Sequence, residues 1–479
     1  MTKKYLCIHG HFYQPPREEP FTGKIPHEYG AIDRDGRVFD NFNELITTQC
    51  YQPNAMAGNF GMISFDIGPT LLTWLYDAHK DVYDKIVASS SNALAQAYNH
   101  TILPLAAHYR DIWTQVQWGI DDYYQRFGRK PRGMWLPETA VNYFTLYVLA
   151  SLGIEYTILA PWQAPVKNVD TTEPYTVKLP DEKSLTVFFY NTSLSGPVSF
   201  DNPISNNASK FAREELPKHI NQWKLKRGIP QLLLIATDGE LYGHHKPDRD
   251  KVLTRLLRDY APNYGYEVVA LDCYLDMYKP TQEIAIKENT AWSCQHKPLR
   301  RWYTGCKCTN NGDRQANAWK KILADSIHRL YHVAFSIFEE YTKPAISGAH
   351  LARNKYIALR NGLISEQEFW NTYGTNNQIP KDTKLVYNVM LLYEAQYYLQ
   401  QAYTSCGWFW SHFNEMHTQN NVKFAFRAMH LIYQATGKNL EDQFIHDLSP
   451  LYYYAPEVTT HQPGKFEKEM QKKYLNKKE

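Results

Sequence analysis

The chain has 479 residues, enough for a large core and more than one domain. Lys and Arg total 52 against 49 Asp and Glu, a formal net charge of +3. This balance leaves no electrostatic footprint for a nucleic-acid partner. The seven cysteines are an odd, scattered set; they suggest no disulfide framework and a reducing, cytoplasmic setting. The apolar run after Lys3 and Lys4 meets His9 at once. It is too short for a signal peptide or a membrane span.

Short apolar runs recur in chain order at 5–8, 61–67, 133–136, 156–160, 185–190, 232–236 and 266–271. Near-continuous runs of this length fit strands buried on both faces, as in a parallel sheet. Stretches with helical spacing, such as 81–98 and 143–152, lie between them. Strands alternating with helices predict an α/β architecture. Many runs end in polar or special clusters: H-G-H at 9–11, P-E at 137–138, P-W-Q at 161–163, Asn191, and D-G-E at 238–240. In a parallel barrel all strand C-termini open on one face, so such a series predicts one shared site.

Past residue 306 the texture changes. Segments 317–341, 384–403 and 422–436 are long and apolar on one face, the pattern of amphipathic helices packed together. The expected organisation is a barrel over 1–305, a helical domain packing on it over 306–460, and a charged tail at 461–479. Residues 15–54, rich in Pro, Gly and charge, read as a long loop over the site.

Two carboxylates stand at strand ends, Glu138 after G-M-W-L-P and Asp238 opening D-G-E. Glycoside hydrolysis needs such a pair, one to attack or to activate water and one to protonate the leaving oxygen. Alternatively, Glu138 is a helix-start acid for the segment that follows it. Glu240 falls on the same side as Asp238 if the strand runs straight, and two adjacent acids raise one pKa. His9 and His11 also share a side; the pair can ligate a metal, bond sugar hydroxyls, or be a satisfied buried pair. His244 and His245 are adjacent and make a poor chelating pair. Cys294, His296, Cys306 and Cys308 have a C-x-H…C-x-C spacing that admits a structural zinc or free buried thiols. Trp135, Trp162, Trp292 and Trp302 lie near strand ends, and C-G-W-F-W interrupts the helical region. Of these aromatics we take Trp135, Trp292 and position 409 (Phe409, between Trp408 and Trp410) as sugar-stacking candidates. No phosphate-binding glycine loop and no nucleophile elbow is present.

Taken in order, H-G-H-F-Y-Q-P-P-R-E, G-P-T-L-L-T-W-L, A-Q-A-Y-N-H-T-I-L-P-L-A, R-F-G-R-K-P-R-G-M-W-L-P-E, T-D-G-E-L-Y-G-H-H, A-W-S-C-Q-H and S-C-G-W-F-W resemble glycoside hydrolase family 57, in its α-amylase/α-mannosidase-like branch. The resemblance runs from residue 5 to about 410. It implies an incomplete (β/α)7 barrel followed by a helical domain that closes over the cleft. It also implies Glu138 as nucleophile, Asp238 as acid/base, Gly239 as the tight turn and Glu240 as a supporting acid. His9, His11 and His100 would line the donor-sugar subsite. The implied mechanism is retaining, needs no metal or cofactor, and acts on an α-glucan oligosaccharide or polysaccharide, with water or a sugar as acceptor. Phe12 and Tyr13 stand between His11 and Gln14, where the family's first motif is shorter. Two other readings remain open: a metal-dependent α-mannosidase or deacetylase-like hydrolase using His9, His11 and an acid, and a non-catalytic carbohydrate-binding protein.

Overall fold

The computed structural model describes residues 3–200, 203–294, 299–308, 317–413 and 415–454. The predicted charged tail and His296 lie outside them. The chain forms two compact units: Met1–Gln14, His27–Gln96 and Tyr123–Gln295 in the first, and Pro15–Pro26, Ala97–Asp122 and His296–Glu479 in the second.

In the first unit, parallel strands β1 (Lys4–Phe12), β2 (Ser64–Ile67), β3 (Ala93–Gln96) and β4 (Met134–Trp135) lie side by side. Strand β5 (Tyr156–Leu159) continues from β4 through a parallel bridge between Gly133 and Tyr156. The antiparallel pair β6 (Tyr175–Lys178) and β7 (Ser184–Phe189) follows, with β7 parallel to β5. Strand β8 (Gln231–Asp238) pairs with β1 along its whole length. The Asn191 N–H donates to Leu234 O at 2.7 Å, tying the end of β7 to β8. Thus β1, β2, β3, β4, β5, β7 and β8 form the expected incomplete seven-stranded barrel. Strand β9 (Tyr266–Val268) pairs only with the first residues of β1.

The barrel interior follows the two-residue period of the strands. Tyr5 and Cys7 of β1, Leu94 of β3, Tyr156 and Ile158 of β5, Phe188 of β7, and Leu232, Leu234 and Ala236 of β8 belong to one buried cluster. Continuing the same alternation upward brings His9 and His11, Asp66, Gln96, Tyr190 and Asp238 to the strand ends. The apolar filling therefore aims the polar residues.

Three expectations change. Helical spacing over 81–98 yields a helix only over Lys80–Val87, and the remainder supplies β3. The helix after Glu138 starts at Tyr143, with the Asn142 side chain capping Thr145 N; Glu138 sits instead in a 3-10 turn, Pro137–Thr139. Part of the expected loop is helical, over Phe42–Ile46, Thr47–Tyr51 and Gln52–Met56, the middle piece being a π-turn.

The second unit is helical. Its long helices are Trp319–Thr342, Thr383–Gln401 and Met416–Thr436. In the first, Leu323, Ile327, Leu330, Tyr331, Ala334, Phe338 and Thr342 are buried at three- and four-residue steps, the stripe expected of a packed helix. Arg353 is fully buried and donates to Asp111 Oδ1 at 2.8 Å and Gln396 Oε1 at 3.0 Å. Pairing and hydrogen bonding are what make a buried guanidinium tolerable. Among the described residues, no helix is long and apolar enough to cross a membrane.

Candidate active site

The strand ends of the barrel unit place one acid between two histidines. His9 Nε2 lies 3.0 Å from Asp66 Oδ1, and His11 Nδ1 lies 2.8 Å from Asp66 Oδ2. Gln96 donates to the same Oδ2. Register explains the meeting: Asp66 is the β2 partner of His11, and Asp238 is its β8 partner. Both imidazoles stack on Trp135, with ring centroids 4.9 Å away and planes 21° apart. Trp135 in turn meets Trp292 edge-on at 4.9 Å.

Glu138 is held from the segment after Thr290. Trp292 donates its indole N–H to Glu138 Oε2 at 2.9 Å, and Ser293 Oγ donates to the same oxygen. The Trp292 backbone N–H also donates to Glu138 O at 3.0 Å. Glu138 and Thr139 both have left-handed backbones, φ 56° and 49°. Non-glycine residues adopt that region at a cost, and the surrounding contacts here maintain it.

On the other wall, β8 ends at Asp238 and a 3-10 turn runs over Gly239–Leu241. Asp238 and Glu240 are therefore not successive residues of one straight strand. Glu240 accepts from Tyr51 OH at 2.7 Å and from Tyr13 N at 3.2 Å. Tyr51 itself accepts from Gln14 Nε2 at 2.9 Å. Gly239 has no left-handed backbone; a Cβ there would lie 2.3 Å from the Phe12 ring. Glycine at 239 thus opens the turn and allows close approach to Phe12, with no left-handed backbone. His244 Nδ1 lies 2.6 Å from Gln49 Oε1, so this histidine anchors the loop after β8 to the π-turn.

These contacts separate the protonation states. Burial, with the charges of Glu138 and Asp66, pushes Asp238 up to about 6 against the opposing His11. The Asp238 side chain is exposed at the strand end; solvent moderates this shift, and its upward direction is what matters. Burial, together with Asp238, pushes Glu240 up to about 7. For His11, burial disfavours the charge, but Asp66, Asp238 and Glu240 outweigh it and raise the group to about 9. Burial keeps His9 low despite Asp66. Asp66 is pushed up by burial and pulled down further by the two histidines, to about 2.

A family model described as Glycosyl hydrolase family 57 matches residues 33–287, more than half of the chain. The chain belongs to this family. A second model, described as a domain of unknown function (DUF3536), matches residues 316–452. Among solved structures, this family 57 chain resembles an exo-type maltose-forming amylase from Pyrococcus sp. ST04, with 16% identity and a TM-score of 0.74 over 94% of this chain and 83% of that one. It also resembles a branching enzyme from Pyrococcus horikoshii (16% identity, TM-score 0.60, 97% of this chain and 100% of that one). A 4-alpha-glucanotransferase from Thermococcus litoralis is similar at 15% identity and TM-score 0.57, over 90% of this chain and 60% of that one. No match is found among the curated proteins. At these identities the structural likenesses speak for the fold.

Of the residues singled out from sequence, the family 57 barrel unit brings together His9, His11, Trp135, Glu138, Trp292, Asp238 and Glu240. His100 and Phe409 belong to the helical unit. There His100 is buried with φ 53°, its Nδ1 2.6 Å from Ser405 Oγ. Phe409 carries the Arg301 guanidinium 3.7 Å above its ring, so that face already holds a cation. Cys294 is buried in the barrel unit; in the helical unit Cys306 is buried and Cys308 is half-buried. Sequence reasoning missed Asp66, Gln96, Tyr51 and Ser293. Asp66 carried a usable signal, since it is an acid set inside the largely apolar run 61–67, one residue before its end.

Proposed function

We propose that this family 57 chain is a retaining enzyme acting on α-linked glucans. The observation that carries the reading is the asymmetry of two carboxyls at the barrel's strand ends. Glu138 receives an indole N–H and a hydroxyl on one oxygen, which fixes where its carboxyl points. Asp238 is pushed up to about 6, partly by the charge of Glu138, and keeps a proton closer to neutrality. A raised carboxyl suits the acid, and a carboxyl oriented by two donors suits the nucleophile.

In the first step the Glu138 carboxylate attacks the anomeric carbon, the bond to the glycosidic oxygen breaks, and the Asp238 proton passes to that oxygen. In the second step Asp238 takes a proton from water or a sugar hydroxyl, whose oxygen attacks the anomeric carbon and releases Glu138. Trp292, only partly buried, offers a face for the sugar ring; Trp135, fully buried beneath the two imidazoles, supports them instead of stacking on sugar; and charged His11 offers a hydrogen bond to the hydroxyls. His9 and Glu240 complete the proposed substrate-binding set of the barrel unit. The names of the similar structures, a maltose-forming amylase, a branching enzyme and a glucanotransferase, support an α-glucan and allow either acceptor. The odd, scattered set of seven cysteines supports a reducing, cytoplasmic setting.

The test is product analysis with maltooligosaccharides, a branched glucan and α-mannosides, using wild type and Glu138→Gln. We expect α-configured products by early-time NMR from the glucans and none from Glu138→Gln with its circular dichroism unchanged. Inverted products, or turnover of α-mannosides alone, would overturn the reading.

A further inference from the structure

Two strand-end clusters of the barrel unit take no part in the reading above: P-W-Q at 161–163, after β5, and Asn191, after β7. Between them lies a groove of about 600 Å³, within the roughly 300–1,000 Å³ typical of small-molecule sites. Pro161 and the half-buried Trp162 give it an apolar side, and Asn168, Thr171, Thr192 and Ser193 give it amide and hydroxyl groups. Such a lining suits a pyranose, whose C–H face stacks on an indole while its hydroxyl edge meets polar groups. Lys167 and Asn168 are exposed, so the groove is open to solvent there, as a long sugar chain requires.

Trp162 is held in place. Its indole N–H donates to Ala291 O at 3.0 Å, and Lys287 Nζ donates to Trp162 O at 2.9 Å. The adjacent Gln163 is buried and donates to Thr139 O at 2.8 Å, while Thr139 Oγ1 donates to Gln163 Oε1 at 2.9 Å. The turn that carries the indole is therefore bonded to the residue next to Glu138. A ring fixed before its ligand arrives loses little freedom on binding.

The groove also adjoins the carboxyl pair. Trp162 meets Tyr190 edge-on at 6.2 Å, and Tyr190 meets Trp292, the partner of Glu138, edge-on at 6.3 Å. Burial, with the charge of Asp238, raises the Tyr190 phenol above its ordinary value. Tyr190 thus links the groove to both carboxyls. Strand order assigns the side. His11, Asp66 and Gln96 belong to β1, β2 and β3, whereas the groove follows β5 and β7. The strands that lead to the carboxyls, β4 and β8, stand between these two arcs. A ring held by His11 occupies the first arc, so the chain across the glycosidic bond runs toward the second.

We propose that this groove is an acceptor subsite, in which Trp162 stacks on a glucosyl ring of a second α-glucan chain and the glycosyl group passes to that sugar in preference to water. The bond from Glu138 to the anomeric carbon breaks, the bond from the acceptor hydroxyl oxygen to that carbon forms, and the hydroxyl proton goes to Asp238. In the first step the same groove holds the leaving chain. This role rests on the retaining α-glucan reading above.

The test supplies α-maltosyl fluoride as glycosyl donor and maltotriose as acceptor, with a fluoride-free incubation subtracted. Fluoride release reports the covalent intermediate, and chromatography separates maltose, the product of water, from chains longer than maltotriose. We expect lengthened chains to replace maltose as maltotriose rises. Trp162→Ala should raise the half-saturating maltotriose concentration roughly 3- to 10-fold, the worth of one ring contact. Trp162→Phe, which keeps a ring, should raise it less. Asn168→Gly removes an amide at a left-handed position (φ 57°) that glycine adopts without strain; it should raise the value too, and decides alone if Trp162→Ala does not fold. A wild type that releases fluoride but yields maltose alone at every maltotriose concentration overturns the subsite, as does a half-saturation that folded Trp162→Ala leaves unmoved. Both results leave the catalytic reading standing. A wild type that releases no fluoride sinks the catalytic reading, and the acceptor role with it.

Discussion

The Trp292 indole N–H meets Glu138 Oε2 at 2.9 Å, while the same indole packs edge-on against Trp135 at 4.9 Å. One side chain therefore both orients the proposed nucleophile and shapes the surface offered to the sugar. Trp292→Phe keeps a ring and deletes the N–H. A hydrogen bond to a charged group contributes about 1.5–3 kcal/mol, so kcat should fall at least about 10-fold with a much smaller change in KM. Steady-state kinetics on one maltooligosaccharide checks this; a change confined to KM would assign Trp292 to binding alone.

The proposed acid sets the alkaline side of the pH profile. Asp238 must carry its proton in the first step, and its pKa is raised to about 6. The kcat/KM of the free enzyme should therefore decline as pH rises through about 6. A profile flat from pH 5 to 8 would remove Asp238 from the acid role.

Stability should respond to a different group. His11 is raised from an ordinary 6.5 to about 9 in the folded protein. Its contribution is fully present below 6.5 and is lost as pH rises through about 9. Asp66, lowered to about 2, contributes above its ordinary 3.8 and loses that contribution as pH falls through about 2. The melting temperature should thus fall between pH 7 and 9.5. Asp66→Asn should lower it at pH 6 and flatten that decline, as measured by calorimetry across the range.

Chelation should leave activity unchanged. The His9 and His11 nitrogens that converge do so on the two oxygens of Asp66, with Gln96 on one of them; the cluster is already satisfied within itself. Dialysis against EDTA followed by assay is the check, and loss of activity restored by a divalent ion would favour the metal-dependent reading.

Gly239→Ala places a methyl 2.3 Å from the Phe12 ring. Overpacking of this kind costs about 1–3 kcal/mol. Denaturant unfolding should show that loss, and adding Phe12→Leu should recover part of it. Full additivity of the two changes would mean that the ring is not the obstacle.

The barrel was legible because its short apolar runs are near-continuous and end one after another in polar clusters. The shared side of His9 and His11 on β1 could be placed from spacing alone. Asp66 was overlooked because its strand has only four residues, S-F-D-I, and pairing with two histidines is a matter of register between distant segments. β3 was hidden for a related reason: A-L-A-Q has no β-branched or aromatic residue, and its neighbours stabilise it more than its own propensity does. Glu138 was placed correctly at a strand end, but its left-handed backbone and its Trp292 contact arise from a segment more than 150 positions later. Local sequence carries no trace of either.

The π-turn at Thr47–Tyr51 makes chain length itself part of the site. A π-turn accommodates one residue more than the α-helical path around it. Removing that residue would let the segment relax to an ordinary helix and turn everything beyond it by about 100°. Tyr51 would then swing its hydroxyl away from Glu240, with no side chain exchanged. A single-codon deletion here would therefore act as an active-site lesion, although every residue of the proposed site would still be present.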